Sequence, residues 1–219
     1  MLNREKGLNM LKNLVFDFGN VLVRFEPFHM LRTHVESDAE AEKLFHLIYE
    51  SADWINGDLG YLTRPEVVER LCANHPDKAE LLKRVMPECP SILVMPDGTP
   101  QLLEDLKKAG FACYFISNVN PEDFHYMRGK YPAMGVLEGI ASFQEHIRKP
   151  DAAIYQTLLE RYGLKAEESI FVDDMPVNTA AAEALGFRSI TLTGGADTLE
   201  EALMAVPEIA EAMARLKGN

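Results

Sequence analysis

An α/β fold, with a parallel sheet covered by helices on both faces and a helical insertion behind its first strand, is predicted by three features of this sequence. Short apolar runs end repeatedly in acidic or polar residues, as central strands do where they break into loops. Amphipathic helical stretches separate those runs, and that alternation demands parallel pairing. Between the first run and the second lies a long segment carrying helix signals only, punctuated by prolines. A chain of 219 residues is long enough for one core domain with such an insertion.

The first run, Leu14-Val15-Phe16-Asp17-Phe18, reads as a central strand ending in an acid and breaking at Gly19-Asn20. Ser37 with Glu40 forms a capping box ahead of Ala41, Leu44, Phe45 and Ile48, which share one helical face. Thr63 with Glu66 repeats the device before Val67, Val68 and Leu71, and Asp77 with Glu80 does so before Leu81, Leu82 and Val85. Pro87, Pro90 and Pro96 follow, so 24–96 is expected to be an all-helical insertion within a core made of 10–23 and 97–219. Thr99-Pro100 starts the next helix and Gly110 stops it. Phe111 to Ile116 is a strand ending at Ser117-Asn118, and Asn120-Pro121 caps a further helix. Lys149-Pro150 leads into a helix carrying Ile154, Leu158 and Leu159, closed by Gly163. Ser169 to Val172 is a strand ending at Asp173-Asp174, Val177 to Leu185 a helix closed by Gly186, and Arg188 to Leu192 another strand. Thr198 to Lys217 is expected to be helical and to pack on the edge of the core.

Composition excludes several classes. With 34 acidic against 22 basic residues the net charge is −12, which repels a polyphosphate backbone and argues against nucleic acid as a partner. No apolar run is long enough for a membrane span, and 1–9, expected to be a frayed tail, has no signal-peptide core. Cys72, Cys89 and Cys113 are far apart and odd in number, which fits a reduced, cytoplasmic protein with Cys113 buried in a strand.

Three predicted strands therefore end in chemically loaded residues: Asp17, Ser117-Asn118 and Asp173-Asp174. In a parallel sheet these ends gather along one edge, where ligands bind. Carboxylates packed together repel, and a divalent cation with hard oxygen ligands, Mg²⁺, is the usual remedy. Lys149 adds positive charge, and Ser117 with the backbone N–H groups after it offers donors to an anion. Each signal alone is ordinary turn or cap chemistry. Their order and placement together point to a site for an anion and a metal.

Four stretches, LVFDFGNVLV, FISNVN, RKPDAAIY and IFVDDMPVNTAAAEALGF, resemble the four motifs of the haloacid dehalogenase-like (HAD) hydrolase superfamily and span Leu14 to Phe187. The resemblance implies a Rossmann-like core with an inserted helical cap, and Mg²⁺-dependent hydrolysis of a small phosphate monoester. By it, Asp17 is the nucleophile that forms an aspartyl-phosphate and also binds Mg²⁺. Asp174, Asp173 and the carbonyl of Gly19 are the further metal ligands. Ser117 and Asn118 hold the phosphoryl oxygens, Lys149 neutralises charge, and Asn178 supports from behind. The DFGNVL stretch is similar to a subgroup that includes bacterial phosphatases of glucose 1-phosphate, which makes a sugar phosphate the expected substrate.

One departure matters. Most phosphatases of this superfamily carry a second aspartate two residues after the nucleophile, which protonates the leaving group and later activates water; here Gly19 stands there. Glu26, Asp53 and Asp58 are candidate substitutes, although surface solvation is the default expectation for all three. Expelling halide needs no proton, so a metal-independent 2-haloacid dehalogenase is the alternative, opposed by the Asp173-Asp174 pair. A weakly catalytic binding protein is the third reading, opposed by the retention of Asp17, Ser117, Lys149 and Asp174. Trp54 and Tyr61 are candidate pocket residues, with cap packing the expectation for Trp54.

Overall fold

A computed structural model describes residues 10–218; the expected frayed start at 1–9 lies outside the described residues. The strands are β1 (Asn13–Phe16), β2 (Arg24–Phe25), β3 (Leu93–Val94), β4 (Ala112–Ser117), β5 (Glu138–Ala141), β6 (Ser169–Asp173) and β7 (Arg188–Thr191). Five of them form one sheet in the order β5-β4-β1-β6-β7, and every pairing in it is parallel. Strand β1, buried throughout, lies at its centre, as its apolar run requires.

Side-chain alternation sends neighbouring residues to opposite faces of the sheet. Leu14, Phe16, Phe115, Ile170 and Val172 pack on one side, against Leu102 and Leu106 of α6 (Thr99–Lys108) and against the C-terminal helices. Val15, Ile116, Ile140 and Phe171 pack on the other, with Ile154, Tyr155, Leu158 and Ala182. Phe124 and Met127 of a helix capped by Asn120, Pro121–Lys130, join the first face. The expected two-sided core is thus present. Among the described residues no helix is long and apolar enough to cross a membrane.

The segment 24–96 supplies α1 (Pro27–Arg32), α2 (Asp38–Tyr49), α3 (Ala52–Asp58), α4 (Arg64–Asn74) and α5 (Ala79–Val85). These helices gather a third apolar cluster, from Met30, Leu44, Ile48, Val67, Leu71, Val85 and Met86, that draws on no residue of the sheet. Thr63 and Glu66 form the expected capping box, and Ser37 accepts from the Glu40 N–H. Two expectations are corrected. The insertion is not wholly helical, because the chain leaves and returns side by side and Arg24–Phe25 pairs antiparallel with Leu93–Val94. Asp77 and Glu80 do not cap α5: Pro76–Lys78 forms a tight 3-10 turn, and the cap position falls on Lys78, whose side chain makes no capping bond.

Beyond α6 the helices are α7 (Pro121–Lys130), α8 (Pro132–Gly135), α9 (Ser142–Glu145), α10 (Ala152–Tyr162), α11 (Pro176–Ala184), α12 (Leu199–Met204) and α13 (Pro207–Lys217). Strand β5 was not foreseen. It is only four residues long, and its Gly139 is forced by contact, since a Cβ there would sit 2.1 Å from the Phe115 carbonyl oxygen. The expected C-terminal helix is two, broken at Pro207, and Leu203, Ile209 and Met213 bury it against the core.

Candidate active site

Register brings the predicted residues together. Phe16 pairs with Phe115 on one side and Val172 on the other, and the Asp17 N–H continues the ladder to the Val172 carbonyl at 2.9 Å. Asp17 therefore emerges between Ser117, which ends β4, and Asp173, which ends β6. Oxygens of Asp17, Asp173 and Asp174 lie within 4.8 Å of one another.

Lys149 sits among them and is only 2% exposed. Its Nζ lies 2.8 Å from Asp17 Oδ1 and 2.6 Å from Asp173 Oδ2, and it donates to the Ile116 carbonyl at 3.0 Å. All three ammonium protons are thereby used. Burial works to lower its pKa, but Asp17 and Asp173 outweigh that and hold it above its ordinary value, so Lys149 stays charged.

The three acids differ in how their oxygens are used. Asp173 is fully buried, with Oδ2 on Lys149 and Oδ1 accepting from Asn178 Nδ2 and the Met175 N–H, each at 2.9 Å. Both its oxygens are spent on holding the fold. Asp174 is half-buried, and its Oδ2 accepts from Asn20 Nδ2 at 3.0 Å. Asp17 Oδ1 takes both Lys149 and the Phe18 N–H, the latter at 2.7 Å. No described residue donates to Asp17 Oδ2, which is left available to react. Burial pushes the Asp17 carboxyl up to about 7, opposed by Lys149 and reinforced by Asp173 and Asp174. Burial also raises Asp174. One ammonium among three carboxylates leaves a negative excess that a divalent cation would offset.

The side chain of Asn118 is already engaged. Its side-chain amide clasps the backbone of Lys149, donating to the carbonyl at 3.0 Å and accepting from the N–H at 2.8 Å. What it can offer an anion is backbone, not the amide. Asn178 supports Asp173, as the sequence implied.

A cavity of about 140 Å³ opens over this edge, with Gly19, Ser117 and Asn118 in its floor and Phe25, Trp54 and Asp58 in its wall. Another cleft, of about 280 Å³, is lined entirely by residues of 24–96, from His34 to Leu81, and holds none of these groups. Of the three substitute acids, Glu26 is exposed and Asp53 faces Arg70 at 3.7 Å. Asp58 is 7% exposed and reaches the cavity, against the expectation of surface solvation. Trp54 both packs on Tyr49 and lines the cavity, whereas Tyr61 is exposed and stacks on His146 instead.

The sequence reading missed a second polar cluster. Arg64 Nη2 meets Asp123 Oδ2 at 2.6 Å, and Asn120 Nδ2 meets the same oxygen at 2.7 Å. The guanidinium lies 4.6 Å from the Trp54 ring centre, a cation–π contact. No spacing links Arg64 to a partner 59 residues away, and Asn120 carried only a capping signal. Asn20 was likewise read as a turn residue, yet it ties Asp174 to the ribbon by also accepting from the Phe25 N–H at 3.0 Å.

A parallel sheet that presents a buried, unprotected carboxylate oxygen beside a lysine and two further acids defines a hydrolase-type site. The chain belongs to the haloacid dehalogenase-like hydrolases, whose family model matches residues 11–186. It is 28% identical over 191 residues to the sesquiterpene phosphatase astK of Aspergillus oryzae, covering 87% of this chain and 94% of that one. It is 29% identical over 117 residues to (S)-2-haloacid dehalogenase 4A of Burkholderia cepacia, covering 53% of this chain and 50% of that one. Its fold matches that of a HAD family enzyme from Bacteroides thetaiotaomicron solved with magnesium and inorganic phosphate, at a TM-score of 0.64 and 19% identity, over 83% of this chain and 93% of that one.

Proposed function

We propose that this hydrolase is a Mg²⁺-dependent phosphatase that cleaves a small phosphate monoester through an aspartyl-phosphate on Asp17, with 24–96 acting as a cap over the site. The observation that carries the reading is the Asp17 carboxylate: Oδ1 is fixed by Lys149 and the Phe18 N–H, while Oδ2 accepts from no described residue. A carboxylate held by one oxygen presents the other to phosphorus in a defined direction.

Asp17, Asp174 and the Gly19 carbonyl suit Mg²⁺, whose charge when bound would neutralise the acids and polarise the phosphoryl group. Asp173, with both oxygens engaged, positions Lys149 in preference to binding metal. Ser117 and backbone N–H groups after it would receive the phosphoryl oxygens, and Lys149 would hold charge on Asp17 through the transfer.

The organic group would lie against Phe25, Trp54 and Leu93. Those walls suit the apolar face of a sugar, and equally a hydrocarbon alcohol such as the similarity to a sesquiterpene phosphatase suggests. Glycine at position 19 keeps the dehalogenase alternative in view, because halide leaves without a proton. Purified protein assayed on sugar phosphates, prenyl phosphates and 2-haloacids separates these readings. Phosphate release that stops in excess EDTA and returns with Mg²⁺ is expected; dehalogenation that persists in EDTA sinks the proposal.

A further inference from the structure

Transfer of a phosphoryl group from an ordinary alcohol leaves an alkoxide, which needs a proton as the P–O bond breaks. The acids beneath the cavity do not supply one. Asp17 is the attacking group, Asp173 has both oxygens engaged, and Lys149 has all three protons committed. In the cavity wall, Asp123 Oδ2 is held by Arg64 and Asn120. Asp174 is the proposed Mg²⁺ ligand, so of the acids that line the cavity Asp58 is the one left.

Resting on the phosphatase reading, we infer that Asp58, brought from the insertion to the cavity that Gly19 also lines, is the general acid and base that the first motif lacks. In the first step Asp17 Oδ2 bonds to phosphorus, the P–O bond to the alcohol breaks, and the Asp58 carboxyl proton passes to the leaving oxygen. In the second step the Asp58 carboxylate takes a proton from water as the water oxygen bonds to phosphorus. The bond from Asp17 to phosphorus then breaks, releasing inorganic phosphate with Asp58 protonated again.

Three contacts seat the turn that carries Asp58. Ser142 Oγ donates to the Asp58 carbonyl and accepts from the Val119 N–H at 2.9 Å, which ties the turn to the loop after Ser117. His146 Nδ1 meets the Leu59 carbonyl at 2.7 Å. Gly60, with φ +73°, lies so close to the α9 segment that a Cβ would stand 2.5 Å from the Phe143 carbonyl oxygen. A residue on a merely solvated cap surface would not be clamped in this way. Burial, reinforced by Asp123, outweighs Arg148, Arg64 and Asn120, which face the carboxyl from other segments, and pushes it up to about 7. That value suits a group that gives and retakes a proton near neutrality.

Position 19, in the same cavity lining, has room. A Cβ on Gly19 would meet nothing nearer than Phe25 Cβ at 3.8 Å, and its φ lies outside the left-handed region. A carboxylate supplied there by substitution can therefore stand in for Asp58. The test compares hexyl phosphate with p-nitrophenyl phosphate, whose leaving group departs without a proton. Asp58→Asn should lower kcat/KM about 10²–10⁴-fold on hexyl phosphate and leave it nearly unchanged on the aryl ester, with a burst of nitrophenol as phosphoenzyme accumulates. Gly19→Asp combined with Asp58→Asn should recover the hexyl phosphate activity. Equal losses on both esters, or no loss on either, would overturn the assignment of Asp58. Failure of the unsubstituted protein to hydrolyse any phosphate monoester with Mg²⁺ would instead overturn the phosphatase reading beneath it.

Discussion

The molecule holds two buried clusters of charge, and they are built differently. At the strand ends every hydrogen-bonding proton of Lys149 and both oxygens of Asp173 are satisfied, chiefly by the ladder and loops of one rigid sheet. Where the insertion meets the core, Arg64 Nη1, Glu122 Oε2, Asp123 Oδ1 and Arg148 Nε are buried with no partner among the described residues. Buried polar atoms without partners cost free energy, so the first cluster is completed by the fold and the second is left incomplete. The difference teaches where each job belongs. On the proposed reading a nucleophile needs fixed geometry, which the sheet provides, and the groups that would meet the varied part of a substrate lie on the side whose bonds are still open.

The comparison can be broken at four points. Asp17→Asn should reduce phosphate release at least about 10³-fold while leaving the melting curve intact, since an amide attacks phosphorus poorly. Steady-state assays beside thermal melts check this, and activity above a few per cent removes Asp17 from the mechanism. Lys149→Met should cost about 3–5 kcal/mol of stability, because Asp17 and Asp173 would be left as buried, unneutralised neighbours. Urea unfolding measures it; a loss under about 1 kcal/mol would show that the strand-end cluster is not the stiff element described here.

Asp174→Ala and Asp173→Ala should part company. The first should raise the Mg²⁺ concentration needed for half-maximal activity by roughly tenfold or more with little change in melting temperature. The second should lower the melting temperature, since it frees Lys149, Asn178 and the Met175 N–H together. Metal titrations and melts on both variants decide it, and identical behaviour would contradict the division of labour. The smallest effect concerns Asp58, whose pKa rises from an ordinary 3.8 to about 7 on folding. The folded chain keeps a proton that the unfolded chain releases, so this stability is present below the ordinary value and lost as pH rises through about 7. Asp58→Asn has no such loss, and should melt above the parent near pH 8 while matching it near pH 4. A lower melting temperature at both pH values would mean that the carboxyl is favourably ionised in the fold.

What could be read from the sequence follows the same line. Asp17, Ser117 and Asp173-Asp174 stand at ends of apolar runs, and parallel pairing brings such ends together, while Lys149 was legible as a cation ahead of a helix. Helix caps such as Thr63 with Glu66 were legible because both partners are three residues apart. Strand β5 was hidden because Glu138-Gly139-Ile140-Ala141 is short and its one diagnostic residue, Gly139, answers to the Phe115 carbonyl across the sheet. Asp77 and Glu80 had the right spacing, yet Pro76 drew that segment into a tighter turn. Arg64 and Ser142 left no local trace, because each finds a partner across the junction of insertion and core. Asp58 was one of three candidate acids until burial and cavity placement set it apart from Glu26 and Asp53.

The covalent step on Asp17 can be tested most directly by rapid acid quench of the protein during turnover of p-nitrophenyl phosphate with Mg²⁺, followed by peptide mass analysis. The account predicts one phosphoryl group on the peptide that carries Asp17, enriched in Asp58→Asn and absent in Asp17→Asn. An unmodified Asp17 peptide throughout a nitrophenol burst, or a phosphoryl group on any other residue, would contradict it.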